Sequence, residues 1–203
     1  MALGTATATA TATAPASYEL RFDSGRICLD LVATTHPEER LSSLERLKVW
    51  IAGAGLVPSG TPLTVAGPEW LVAFHELRGH VTQLVRGELD GRPADTALRR
   101  VNELAVHRTP TPRAVRADDG TLLKRLYALP SCAELRAVVA RDAVELLTDP
   151  VARASLRQCA GDNCPIVYLD TSRGRRRRWC SSEVCGNRER VARHRRRAAL
   201  ARP

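Results

Sequence analysis

The chain has 203 residues and a mass of 22.2 kDa, enough for one domain with a sizeable core and a smaller second module. Of its 31 basic and 22 acidic residues, 14 arginines and four acids lie from Arg153 onward, so the rest of the chain is close to neutral. This asymmetry predicts a polyanionic partner for the C-terminal part, and the lack of any run of 18 apolar residues excludes a typical membrane-spanning helix.

The first 16 residues form a low-complexity tract of alternating Thr and Ala. Such a segment has little to bury, so residues 1–16 are predicted to be a disordered tail. The tract has neither a charged start nor an apolar stretch, so we expect no secretory signal. We therefore expect a cytoplasmic protein whose cysteines are reduced.

Residues 17–150 are predicted to form a mainly α domain. Apolar side chains recur there at intervals of three and four residues, which is typical of amphipathic helices. The predicted helices cover Ser42 to Gly53, Trp70 to Val85, Ala94 to Val106 with Leu98 facing inward, and Ser131 to Leu147. The run from Ile27 to Val32 is too short to distinguish a strand from a buried helical turn. An Asp119-Gly120 turn between two short alternating runs predicts a small β-hairpin.

Four cysteines near the end of the chain form two C-x4-C pairs separated by fifteen residues: Cys159, Cys164, Cys180 and Cys185. Two closely spaced thiol pairs can place four soft ligands around one tetrahedral zinc ion. A disulfide or redox pair and an iron–sulfur cluster are the alternatives. Four thiolates leave no position for water, so one structural zinc is predicted and hydrolytic zinc chemistry is not. Without a recognisable nucleophile and base, the sequence does not indicate an enzyme.

Residues 151–203 are predicted to form a treble-clef-like zinc module, with a domain boundary near residue 150. We expect a short helix from Val151 to Gln158, a strand from Ile166 to Asp170 paired with Arg176 to Cys180, and an arginine-rich helix after Asn187. Because the module has little apolar surface, zinc would supply much of its folding free energy, on the order of 10 kcal/mol. Replacement of Cys159 by Ser is therefore expected to unfold this module alone.

Arginines crowd the hairpin and the final helix of the predicted module. The planar guanidinium fork suits bidentate contact with phosphate or with guanine edges, so these side chains are predicted to bind nucleic acid. The candidates are Arg173, Arg175, Arg176, Arg177, Arg178, Arg188, Arg190, Arg193, Arg195 and Arg196. Tyr168 and Trp179 are expected to pack against the metal core rather than to stack on bases.

Several polar residues of the module are expected to have structural roles. Asp170 and Ser172 are predicted to form hydrogen bonds within the hairpin and to orient Arg173 or Arg177. Gly186 is predicted to adopt a backbone angle that other residues avoid, in a turn that shapes the last ligand's loop.

In the helical domain, Cys28 and Cys132 are expected to be small buried hydrophobic residues. Asp30 lies in an apolar run and needs a partner if it is buried, for which Arg78 is the candidate. The two residues are predicted to form a structural ion pair, and the alternative is a site that anchors a small-molecule effector.

The C-terminal sequence resembles the CGNR zinc-finger family. The shared pattern is C-x4-C, then Y-L-D-T-S-R, then R-R-W-C-S-S-x-x-C-G-N-R, ending at Arg188. In that family the finger follows a helical domain termed ABATE, with a suggested role in stress-induced transcription regulation. The segment G-R-I-C-L-D-L-V, residues 25–32, is similar to the opening motif of that domain. The family usually has Asn near Ala33 and Met near Ser182, where this chain differs.

Together these features predict a transcription regulator that binds DNA through its zinc module. The helical domain would sense a signal or form a homodimer, since a single finger binds weakly. The alternatives are a zinc-stapled protein that binds RNA or the ribosome, and a protein–protein adaptor. Few aromatic residues are available for stacking on bases, which weighs against a reader of single strands.

Overall fold

The computed structural model describes residues 20–200, apart from the side chains of Ala198 and Leu200. The predicted tail, residues 1–16, lies outside the described residues. The helices in this range are α1 (Ile27–Val32), α2 (Leu44–Gly53), α3 (Pro68–Asp90), α4 (Asp95–Ala105), α5 (Cys132–Thr148), α6 (Pro150–Arg153) and α7 (Asn187–Leu200). The strands are β1 (Pro112–Arg116), β2 (Leu122–Leu126), β3 (Leu156–Gln158) and β4 (Val167–Leu169).

The helix boundaries follow from local chemistry. The Ser43 hydroxyl accepts a hydrogen bond from the Arg46 amide and caps α2. Ser131 and Glu134 form a reciprocal capping box at the start of α5. Helix α3 ends at Gly91, whose left-handed φ of 65° suits a residue without a Cβ. The prediction of a mainly α fold is confirmed, and the ambiguous run at residues 27–32 is the helix α1.

The main core lies between α1, α2, α3 and α5. Trp50 of α2 and Phe74 of α3 meet edge to face at its centre, with ring centroids 6.0 Å apart. Three residues of the β3–β4 hairpin belong to the same buried cluster: Leu156, Val167 and Leu169. The C-terminal module therefore shares its apolar surface with the helical domain.

Helix α4 faces the core through Ala97 and Val101, each 1% exposed. Leu98, which was predicted to face inward, is 43% exposed, so that prediction is wrong. The helical period places Leu98 about 100° away from Ala97, toward the outer side of the helix.

The C-terminal strands pair differently from the prediction. β3 and β4 are antiparallel, with Leu156 opposite Leu169 and Gln158 opposite Val167. The predicted helix from Val151 to Gln158 is thus only α6, followed by β3, and the predicted strand from Arg176 to Cys180 is not a strand. The physical reason is burial, because β3 inserts Leu156 into the core whereas four consecutive arginines offer no apolar face to bury.

Candidate zinc centre and basic surface

The four cysteine sulfurs of the C-terminal module meet in one buried cluster. All four Sγ atoms lie within 4.8 Å of one another, and each cysteine is at most 6% exposed. The Sγ of Cys180 is 3.8 Å from that of Cys164 and 3.6 Å from that of Cys185. Tetrahedral zinc with Zn–S bonds of about 2.3 Å requires sulfurs about 3.8 Å apart, so the donor set fits one structural zinc ion.

Two local structures present these ligands. Cys159 and Cys164 lie in the loop that joins β3 to β4, and Cys180 and Cys185 lie just before α7. Gly161 sits so close to the cluster that an added Cβ would lie 3.3 Å from Cys185 Cβ. Ser181 accepts hydrogen bonds from two amides of the π-helical turn Ser182–Gly186, which holds Cys185 at the start of α7. The first cysteine pair between β3 and β4 and the second pair before α7 make this a treble-clef-like module, but the hairpin predicted between the two pairs is not formed.

The thiols interact so closely that they cannot all ionise without a cation. Donation from Cys164 lowers the pKa of Cys159, and backbone amides of Cys180 and Gly161 also point at its sulfur. The interaction of the Cys180 thiol with Cys159 raises the pKa of Cys180. A divalent cation removes this conflict, because it stabilises all four thiolates together.

A network beside the cluster fixes the loop between β4 and Cys180. Asp170, 2% exposed, accepts hydrogen bonds from the Ser172 hydroxyl at 2.6 Å and from the Arg177 amide at 3.1 Å. The fully buried Tyr168 donates its hydroxyl to the Arg177 carbonyl at 2.5 Å. The structural roles expected for Asp170, Ser172 and Tyr168 are present in this network.

Arg177 is part of this network rather than of the outer surface. Its guanidinium donates to the Trp179 carbonyl at 2.9 Å, to the Cys180 carbonyl and to the Asp23 carbonyl at 3.2 Å. The same group lies 4.5 Å from the centre of the Tyr168 ring. With its donors occupied by the protein, Arg177 is poorly placed to contact a nucleic acid.

The other candidate arginines lie on the outside of the module, in the loop at residues 173–178 and along α7. Arg196 pairs with Glu189 at 2.8 Å, Arg190 donates to the Ser182 carbonyl, and Arg178 lies over the Trp179 ring. Within residues 20–200, the remaining side chains have neither hydrogen bonds nor ion pairs: Arg173, Arg175, Arg176, Arg188, Arg193 and Arg195. We refer to these six residues as the open arginine surface.

Trp179 packs against the zinc cluster, as expected. Gly186 does not have the left-handed backbone that was predicted for it, because it is absent from the positive-φ residues of the described chain. An added Cβ would lie 3.4 Å from the Ser181 carbonyl and 3.6 Å from the Trp179 ring, which are ordinary van der Waals distances. Neither backbone angle nor space therefore requires glycine at this position.

Asp30 and Arg78 are both buried but do not form the predicted ion pair. Asp30 accepts a hydrogen bond from the Ser24 amide at 2.9 Å, and burial raises its pKa to about 6. Arg78 forms a two-pronged ion pair with Glu39 and donates to the Thr34 hydroxyl at 2.8 Å. The partner of Arg78 comes from the loop after α1, which the sequence pattern did not indicate.

The other cysteines of the helical domain, and His75, lie in surroundings that indicate structural roles. Cys28 is fully buried, as expected, whereas Cys132 is only half-buried. His75 lies 3.0 Å from the Leu41 carbonyl through Nε2. Outside the cysteine cluster, no group of metal-ligating side chains occurs among the described residues.

The start of the helical domain lies against the zinc module. Ala33, just after α1, is buried in the same cluster as the four cysteines, whereas Leu29 and Leu31 belong to the main core. Arg21 donates to the Cys180 carbonyl at 3.1 Å and lies 3.9 Å from its sulfur. The Leu169 amide of β4 donates to the Ser24 carbonyl at 2.8 Å. Sequence reasoning missed Arg21 and Ala33, because more than 120 residues separate them from the cysteines and no spacing links them.

The comparisons with known proteins agree with a helical domain followed by a C-terminal zinc module. Residues 25–150 match the family model of ABATE, described as a "putative stress-induced transcription regulator", and residues 155–198 match that of the CGNR zinc finger. None of the curated proteins that were searched matches the chain. Within residues 20–200, every helix is too short or too polar to cross a bilayer. The ABATE match covers more than half of the chain and the cysteine geometry fits zinc, so this protein belongs to the ABATE family and carries a C-terminal CGNR zinc finger.

Proposed function

We propose that this protein is a transcription regulator that binds duplex DNA through the arginine side of its zinc finger. The open arginine surface carries the proposal. Among residues 20–200, these six exposed guanidinium groups have no carboxylate partner, and the module that carries them shares the helical core and a four-cysteine cluster that fits zinc. Such a concentration of uncompensated charge favours a polyanion, whose phosphates release counterions on binding.

The surroundings of the aromatic rings favour a duplex over a single strand. Tyr168 is fully buried under Arg177, and Trp179 is covered by Arg178 and by the zinc cluster. Readers of single strands stack bases on well-exposed rings, whereas the Tyr168 ring is buried and the Trp179 ring is only partly exposed. Helix α7 has arginines on more than one side, so it can contact phosphates on both edges of a groove.

The helical domain is proposed to regulate the finger through α1. One end of this segment is in the main core and the other touches the zinc cluster through Ala33. A ligand or partner that moved α1 would therefore shift the surface on which the finger rests. We place this activity in the cytoplasm, where thiols stay reduced and available to zinc.

The test is a salt series with the zinc-loaded chain and a mixed-sequence DNA duplex. The logarithm of the affinity should fall steeply with the logarithm of the salt concentration. The triple variant R173A/R175A/R176A should bind more weakly and should reduce the slope by up to about 3, since each lost phosphate contact removes about 0.9. A second triple variant on α7, R188A/R193A/R195A, should behave in the same way.

The control is R92A/R99A/R100A, which removes three exposed arginines from the helical domain and leaves the finger unchanged. This variant should keep the wild-type slope. Absence of salt-dependent DNA binding would overturn the proposal. Preference for structured RNA at equal salt would favour the RNA-binding alternative, and a protein complex that survives nuclease and high salt would favour the adaptor.

A further inference from the structure

The β1–β2 hairpin is exposed on both faces. All five residues of β1 and the first four of β2 are exposed, and only Leu126 at its base packs against the main core among these strands. Within residues 20–200, each of the two strands pairs only with the other. An isolated two-stranded hairpin is marginally stable in water, so this one is expected to gain stability from a partner.

The hairpin and its base expose apolar side chains that a solvated arm does not need. Val115 and Leu123 lie directly opposite each other on one face, each 37% exposed, and Leu122 is 65% exposed on the other face. Tyr127 extends the surface at the base, where its amide donates to the Thr111 carbonyl, and is 69% exposed. Clustered apolar exposure, together with open strand edges, is typical of a protein interface.

On the face of the hairpin that carries Val115 and Leu123, charge is divided between the two ends, whereas Arg116 and Lys124 lie on the other face. Arg113 and Arg125 lie directly opposite each other near the base, which is unfavourable for like charges. Asp118 and Asp119 lie at the turn, about 16 Å away from Arg113 at 3.3 Å per residue. In the described part of the chain, neither arginine has a carboxylate partner, although Arg113 lies over the Tyr127 ring.

We propose that this hairpin is the interface of a homodimer, in which the hairpins of two copies pack antiparallel through the faces that carry Val115 and Leu123. A two-fold axis then brings the acidic turn of each copy to the basic base of the other, and the exposed apolar side chains cover one another. An inserted DNA-binding ribbon is less compatible with this surface, because its leading end would carry Asp118 and Asp119 toward the phosphates. The inference concerns the free protein and does not depend on DNA binding.

The test is the mass in solution of the zinc-loaded full chain without DNA, measured by light scattering after size exclusion. The wild type should have twice the 22.2 kDa mass of one chain. The variants R113E/R125E and D118R/D119R should each lose the dimer, because identical charges then meet at both contacts. An equimolar mixture of the two variants should recover a dimer, since their charges are again complementary.

The control R92E/R99E makes the same change of charge on exposed residues away from the hairpin, and it should remain dimeric. Helical circular dichroism shows whether each variant is folded. A wild type that is monomeric at tens of micromolar, or charge variants that stay dimeric, would overturn the proposal. Weaker DNA binding by R113E/R125E with a monomeric wild type would also overturn it and would assign the hairpin to DNA.

Discussion

At the scale of single residues, Arg177 differs from the arginines beside it in the sequence. Its guanidinium binds the carbonyls of Trp179, Cys180 and Asp23 and covers the Tyr168 ring. Arg175, two residues earlier, has an exposed side chain without such contacts among the described residues. Two arginines of one short run therefore have different roles, one in the fold and one on the surface.

This difference predicts that alanine substitutions of Arg177 and Arg175 affect different properties of the protein. Arg177→Ala leaves the Trp179 and Asp23 carbonyls without this donor and the Cys180 carbonyl with only Arg21, so the module should lose roughly 1.5–3 kcal/mol of stability. The variant should release zinc faster to a coloured chelator than the wild type does. Arg175→Ala should release zinc at the wild-type rate and should bind DNA with a smaller salt slope. Equal zinc release by both variants would contradict the assignment of Arg177 to the fold.

Asp30 is the buried carboxyl of α1, and its burial raises the pKa to about 6 from the ordinary value of 3.8. The folded protein therefore holds the proton more tightly than the unfolded chain does. The unfavourable contribution of Asp30 should be absent below pH 4, grow as the pH rises from about 4 to 6, and stay constant above 6. Its full size corresponds to about 3 kcal/mol as an upper estimate.

Asp30→Asn should remove this pH dependence while keeping an oxygen for the Ser24 amide. The difference in the free energy of unfolding between the variant and the wild type should change in favour of the variant from pH 4 to 6. Urea unfolding at several pH values measures it, and any pH effect of the common zinc site cancels in the difference. A difference that does not depend on pH would show that Asp30 does not titrate in this range.

At the scale of elements, the contact between the start of α1 and β4 depends on Gly25. This residue has a φ of 91°, and an added Cβ would lie only 3.0 Å from the Leu169 Cβ. The adjacent Ser24 carbonyl accepts a hydrogen bond from the Leu169 amide, and this bond holds the two segments together. Both backbone angle and space therefore favour glycine here.

Gly25→Ala should consequently destabilise the protein by more than Gly55→Ala. Gly55 also has a positive φ, of 70°, but an added Cβ would meet nothing within 4 Å. The control should cost roughly 1–2 kcal/mol from backbone strain, and Gly25→Ala should cost more because of the contact with Leu169. Thermal unfolding of the two zinc-loaded variants measures the comparison. Equal losses would mean that β4 moves away from α1 without cost.

At the scale of the whole molecule, the zinc module and the helical domain share a core. Leu156, Val167 and Leu169 of the module are buried among the helices, and Arg86 of α3 donates to the Pro165 carbonyl at 3.0 Å. The sequence predicted that loss of a ligand cysteine would unfold the module alone. The shared core predicts a wider effect, because unfolding of the β3–β4 hairpin would expose part of the helical core to water.

Removal of zinc should therefore destabilise the helical domain as well. In a Trp179→Phe background, the fluorescence of Trp50 and Trp70 reports only on that domain, where both rings are buried. The midpoint of unfolding of this domain should decrease after chelation of zinc and in Cys159→Ser. The control Cys132→Ser replaces a cysteine outside the cluster and should not lower the midpoint in this way. An unchanged midpoint would support the independent module with a boundary near residue 150.

The chemical identity of the zinc site follows from the sequence alone. Cysteine spacing determines which thiols can reach one ion, and the spacing of apolar residues determines the helices, because both depend on contacts between near neighbours. The four ligands and the mainly α fold with a small C-terminal zinc module were predicted correctly on this basis.

The partners of the buried groups were decided only by the tertiary structure. Arg78 pairs with Glu39 rather than Asp30, β4 pairs with β3 rather than with the arginine run, and Arg177 turns inward. Each outcome depends on which distant segments meet, and on whether a side chain can be buried with its hydrogen bonds satisfied. Local spacing contains no such information, because the competing partners have similar chemistry and differ only in where the fold places them.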